Sequence, residues 1–84
     1  EEPYRALVVE DSITASKSIE RTLAMCGIET QVIAKPHDVL ARLAQFQPDL
    51  ILMDMFMPGC TGVEAARVIR QHPEFLSIPI VYLS

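Results

Sequence analysis

The sequence predicts an α/β protein built on a parallel sheet, because four short apolar runs alternate with three helical stretches and three of those runs stop on a carboxylate or a hydroxyl. Strict alternation of strand and helix favours right-handed crossovers, which place helices on both faces of one sheet. Continuous apolarity within a strand suits burial on both faces.

The first strand is Arg5 to Val9 (RALVV), and it ends abruptly at Glu10 and Asp11. Ser12 is placed to cap a helix whose inner stripe would be Ala15, Ile19, Leu23 and Cys26, with Gly27 supplying the left-handed terminus. Ile28 to Ala34 (IETQVIA) is a weaker strand, expected near an edge. Pro36 opens the next helix, with Val39, Leu40, Leu43, Ala44 and Phe46 as its buried stripe, and Pro48 with Asp49 closes it.

Leu50 to Met53 (LILM) repeats the first strand and stops on Asp54. A loop from Met55 to Thr61 precedes a helix over Gly62 to Gln71, with Val63, Ala66 and Ile69 on one face and His72-Pro73 as the stop. Ile78 to Leu83 (IPIVYL) is the fourth strand, with Pro79 confined to its start, and it ends on Ser84.

Size and charge narrow the function. A chain of 84 residues, half of them hydrophobic, holds one globular domain. A net charge of -4 opposes direct binding to nucleic acid, which needs clustered Lys and Arg. The apolar runs fall far short of the roughly 20 residues that span a bilayer, and the acidic start is unlike a signal peptide, so a soluble cytoplasmic protein is expected. Cys26 and Cys60 lack zinc-ligand spacing and are read as reduced thiols.

Functional groups in an open parallel sheet gather at the carboxyl ends of the strands, where strand order reverses. A flavodoxin-like, doubly wound order with the first and third strands adjacent would bring Glu10, Asp11 and Asp54 together. Ordinary carboxylates ionise near pH 4, so three in contact repel at neutral pH and call for a cation. Mg²⁺ answers that need, since it commonly takes one or two carboxylates, keeps several waters and binds a phosphate oxygen as well.

LVVEDS at residues 7 to 12, DLILMDMFMPGCTG at residues 49 to 62 and IPIVYLS at residues 78 to 84 resemble, in order and spacing, the receiver domains of two-component response regulators. The resemblance implies that Asp54 is the phosphoacceptor, taking a phosphoryl group from the phosphohistidine of a sensor histidine kinase or a phosphotransfer protein. It also implies that Glu10, Asp11, Asp54 and the backbone carbonyl of Phe56 hold Mg²⁺, and that Ser84 is the hydroxyl switch. Pro58, Gly59 and Gly62 match the family's loop after the acceptor. Neither His37 nor His72 is expected to be a phosphodonor, since both stand beside a proline at a helix end.

The family pattern is five strand–helix units, whereas this chain carries three units and a fourth strand over residues 1–84. The fourth helix, fifth strand and final helix of the family pattern are not expected within these residues, nor is the family's Lys, a role that neither Lys17 nor Lys35 can take. An effector domain is expected outside the chain, and the fourth strand leaves an edge through which two copies could pair.

No turnover of a separate substrate is expected, so the chain is not read as an enzyme. A haloacid-dehalogenase-like phosphatase would need a second Asp where Phe56 stands. A flavin module would need a phosphate loop where Glu10 and Asp11 stand. The remaining alternative is a receiver-like interaction module that works without phosphorylation.

Overall fold

The structure is a computed structural model that describes residues 2–83. Its elements are β1 (Arg5–Val9), α1 (Ile13–Met25), β2 (Glu29–Ile33), α2 (Val39–Phe46), β3 (Leu50–Asp54), β4 (Phe56–Met57), β5 (Cys60–Thr61), α3 (Gly62–Arg70) and β6 (Ile80–Leu83). Short 3₁₀ turns at Pro36–Asp38 and Pro73–Phe75 precede α2 and β6. Strands β2, β1, β3 and β6 form one parallel sheet in that order, which is the doubly wound arrangement expected.

Successive strand residues point to opposite faces, so each strand feeds two layers. Leu7, Val9, Ile33, Ile51 and Met53 join Val39, Leu43, Phe46, Ala65 and Ile69 in one buried cluster, which places α2 and α3 on the same face. Ala6 and Val8 are fully buried outside that cluster, toward the face α1 covers. Right-handed crossovers give the same division, because β2 and β3 lie on opposite sides of β1.

Helix ends follow their residues. Ser12 Oγ accepts the Ala15 N–H at 3.2 Å, as an N-cap should. Gly27 adopts φ of 76° after α1, the left-handed conformation that its sequence position predicts. The end of α2 is different: Gln47 takes the left-handed turn at φ 52° ahead of Pro48, where a right-handed helical residue would clash with the proline ring.

Several burial expectations need correction. The stripe Ala15, Ile19 and Leu23 is only half-buried and Cys26 is exposed, because α1 is the single helix on its face among the described residues and nothing flanks it. Ala44 is exposed, because the inner face of α2 is Val39, Leu43 and Phe46, at spacings of four and three. In α3 the buried face is Gly62, Ala65, Ala66 and Ile69. Val63 is 41 % exposed, since a 100° step per residue carries it past the edge of that face.

The segment expected to be a plain loop after Asp54 contains a small hairpin. Phe56 pairs antiparallel with Thr61 and Met57 with Cys60, across a turn at Pro58 and Gly59. Gly59 has φ of 80°, which the third position of a Pro-Gly turn requires. β2 and β6 form the edges, and both Cys26 and Cys60 are free thiols.

Candidate functional site

Adjacent parallel strands in register deliver the residues that follow them to one place. Val9 lies opposite Met53, so Glu10 and Asp11 emerge from β1 beside Asp54 at the end of β3. Side-chain oxygens of Glu10, Asp11 and Asp54 all lie within 4.8 Å of one another. The strand order reverses across β1, which makes this the crevice where an open sheet places its ligands.

Each acid is held differently. Glu10 is buried, its N–H donates to Ile33 O at 3.0 Å, and its Oε2 accepts the Ser12 N–H at 3.1 Å. Burial pushes its carboxyl up from the ordinary 4.5, the Ser12 N–H opposes that rise, and the nearby Asp54 and Asp11 carboxylates reinforce it. Asp11 is exposed to water and Asp54 is half-buried. Asp54 Oδ1 accepts the Phe56 N–H at 3.1 Å, an Asx turn that orients the carboxylate.

The loop beyond Asp54 is tied down on two sides. Met55 N–H donates to Leu83 O at 3.1 Å, joining the acceptor loop to β6, and Gly62 N–H donates to Met55 O at 2.9 Å, joining it to α3. Thr61 then caps α3 reciprocally: its Oγ1 accepts the Glu64 N–H at 3.1 Å, while Glu64 Oε1 accepts the Thr61 N–H at 2.8 Å. This capping box was legible as Thr-x-x-Glu at residues 61 to 64, a signal the sequence reading passed over.

The donor set fits a hard cation. Among the described residues, no Lys or Arg forms an ion pair with Glu10, Asp11 or Asp54. Three oxygen ligands with one side open to water match the habit of Mg²⁺, which demands oxygen donors and retains part of its hydration shell.

Other expected residues fall as follows. Phe56 is 74 % exposed, and its N–H donates to Asp54. Ser84 lies outside the described residues. His37 sits in the turn before α2, with Nε2 3.3 Å from Asp38 Oδ1, and His72 precedes the turn at Pro73. Lys17 is exposed on α1, and Lys35 follows β2 at the rim of a groove that also reaches Asp11.

Comparison with known proteins agrees with this geometry. Residues 6–84 match the family described as the response regulator receiver domain. An uncharacterised 76.5 kDa protein of Thiocystis violacea is 44 % identical over 96 % of this chain and 12 % of its own length. The phosphate regulon transcriptional regulatory protein PhoB of Rhizobium meliloti is 35 % identical over 92 % of this chain and 34 % of its own length. The chain thus spans about a third or less of these curated relatives.

Among solved structures, the N-terminal domain of a response regulator receiver protein from Methanoculleus marisnigri superimposes with a TM-score of 0.93 at 28 % identity, over 99 % of this chain and 68 % of that one. The receiver domain of sensor histidine kinase PA1611 from Pseudomonas aeruginosa, solved with a magnesium ion coordinated in its active site cleft, gives 0.90 at 28 % identity over the same shares. Sequence match, strand order and the placement of the acids converge, and the chain belongs to the response regulator receiver domain family.

Proposed function

We propose that this receiver domain is a phosphorylation switch in which Asp54 accepts a phosphoryl group from the phosphohistidine of a histidine kinase or phosphotransfer protein. The observation that carries the reading is the meeting of Glu10, Asp11 and Asp54 oxygens within 4.8 Å at the switch point of the sheet. A carboxylate oxygen of Asp54 attacks phosphorus, the phosphorus–nitrogen bond to the donor imidazole breaks, and an acyl phosphate remains on the protein.

Glu10, Asp11, Asp54 and the Phe56 carbonyl would hold Mg²⁺, which when bound neutralises charge on the phosphoryl oxygens. The protein's own part is orientation. The Phe56 N–H fixes Asp54 Oδ1, and the anchors from Met55 to Leu83 and Gly62 hold the loop so that little reorganisation is needed on reaction. Ser84 is the hydroxyl that responds to the added charge in this switch, a role supported by the sequence motif IPIVYLS at residues 78 to 84.

Receiver domains are signalling domains, so the output is a change of conformation and not turnover of a separate substrate. The relatives named transcriptional regulatory protein PhoB and DNA-binding response regulator MtrA extend well beyond the matched third, which supports an effector domain joined to this one in a cytoplasmic protein. No helix among the described residues is long and apolar enough to cross a membrane.

The deciding experiment is mass spectrometry after incubation with Mg²⁺ and a small acyl- or amido-phosphate donor. The expected result is a gain of one phosphate that disappears in Asp54→Asn. A gain that persists in that variant, or no gain in the parent, overturns the proposal.

A further inference from the structure

The β4–β5 hairpin is held between two carboxylates, one for each of its strands. Phe56 and Thr61 face each other as an antiparallel pair. The Phe56 N–H donates to Asp54 Oδ1 at 3.1 Å, and the Thr61 N–H donates to Glu64 Oε1 at 2.8 Å. In alternate pairs of an antiparallel ladder the N–H groups turn away from the facing strand. Here one outward donor is taken by the acceptor residue and the other by the first turn of α3.

The hairpin cannot fix that geometry by itself. It has two residue pairs, and an isolated two-stranded hairpin is at best marginal in water. Phe56, Pro58, Gly59 and Thr61 are exposed, so side-chain packing reaches the segment through Met57 and Cys60. The outer anchor is well made. Glu64 is exposed, and the Thr61 N–H is the first cause that holds its carboxyl below 4.5, so at neutral pH the bond is charge-assisted, the shorter and stronger kind. We propose that Glu64 is a positioning residue for phosphoryl transfer: by holding the Thr61 N–H it fixes the hairpin, and through the hairpin it aims the Phe56 N–H at Asp54 Oδ1.

The inference rests on the reading of Asp54 as phosphoacceptor and adds to it a residue outside the acid cluster. A carboxylate whose orientation is fixed beforehand loses less rotational freedom on reaching the attacking geometry. Glu64 contributes through position, not through its charge at the reacting atoms. A capping box accepts Gln as well as Glu, so Glu64→Gln keeps an oxygen for the Thr61 N–H, whereas Glu64→Ala leaves that donor to water.

The test pairs amide correlation spectra of isotope-labelled protein, recorded without phosphodonor or Mg²⁺, with timed mass spectrometry in the presence of Mg²⁺ and a small acyl phosphate. Glu64→Ala should move the Phe56 amide proton upfield, as its bond to Asp54 loosens, and slow phosphate gain about fivefold. Glu64→Gln should restore both. Ile51→Val, which loses stability inside the core, should leave both as in the parent and so separates positioning from general destabilisation. An unmoved Phe56 amide in Glu64→Ala, equal slowing in Glu64→Gln, or equal slowing in Ile51→Val would overturn this inference alone. A parent that gains no phosphate would overturn the assignment of Asp54, and this role for Glu64 with it.

Discussion

Gly62 is packed against Asp54 so closely that a Cβ added to it would overlap the Asp54 carbonyl oxygen, and would also crowd Met53 and Met55 at 3.0 Å. The first turn of α3 therefore rests directly on the backbone that carries the acceptor, with the Gly62 N–H bonded to Met55 O. Only a residue without a side chain permits this approach. Gly62→Ala should cost about 1–3 kcal/mol through overpacking against backbone that cannot rotate away. It should also slow phosphate gain at Asp54, which urea unfolding and timed mass spectrometry would separate.

The reciprocal cap at the start of α3 gives a second prediction. Thr61→Ala removes the oxygen that accepts the Glu64 N–H and should destabilise the domain by about 1 kcal/mol. Thr61→Ser keeps the acceptor and should lose much less, as denaturant midpoints would show.

Glu64 carries the pH dependence of that cap. The Thr61 backbone N–H, and then its hydroxyl, hold the Glu64 carboxyl below its ordinary value of 4.5. A depressed folded pKa means that the unfolded chain binds the proton more readily, so the contribution is present above 4.5 and is lost as pH falls through the lower folded value. The acid limb of stability against pH should be shallower in Glu64→Gln, and an unchanged limb would show that the cap carries no charge dependence.

Mg²⁺ should stabilise the folded protein, because Glu10, Asp11 and Asp54 meet only after β1 and β3 have paired. At one hundred times its dissociation constant, an ion that binds only the folded state adds about 2.7 kcal/mol. Thermal unfolding with and without Mg²⁺ should show this gain in the parent, and Asp11→Asn should remove most of it. If the variant responds as strongly as the parent, the ion binds elsewhere.

Ile51 offers a control for these effects. It is fully buried in the cluster beneath α2 and α3 and is not one of the acid cluster's residues. Ile51→Val should cost about 0.5–1.5 kcal/mol and leave phosphate gain under native conditions intact. A matched loss of stability in Gly62→Ala with slowed phosphate gain would then identify a local effect on Asp54.

The alternating pattern of the sequence determined the strands, the helices and the parallel class, because periodicity and chain punctuation are local. RALVV and LILM could be recognised as strands of the sheet, although only RALVV is buried on both faces and LILM is half-buried at Leu50 and Leu52, and Ser12, Gly27 and Gly62 announced helix boundaries. The acids were legible as candidates because no carboxylate interrupts the apolar runs that precede them.

Tertiary structure alone decided the rest. The sequence read α1 as having an inner stripe, but burial depends on neighbours, and Cys26 is exposed because its helix is flanked by none among the described residues. The hairpin of Phe56–Met57 with Cys60–Thr61, and the left-handed turn at Gln47, reflect how the chain must bend once β3, α2 and α3 are in place. Glu10, Asp11 and Asp54 become one group only because the register of β1 against β3 and the crossovers of the sheet bring distant residues to the same edge. A local pattern specifies which residues can serve; the sheet specifies which of them meet.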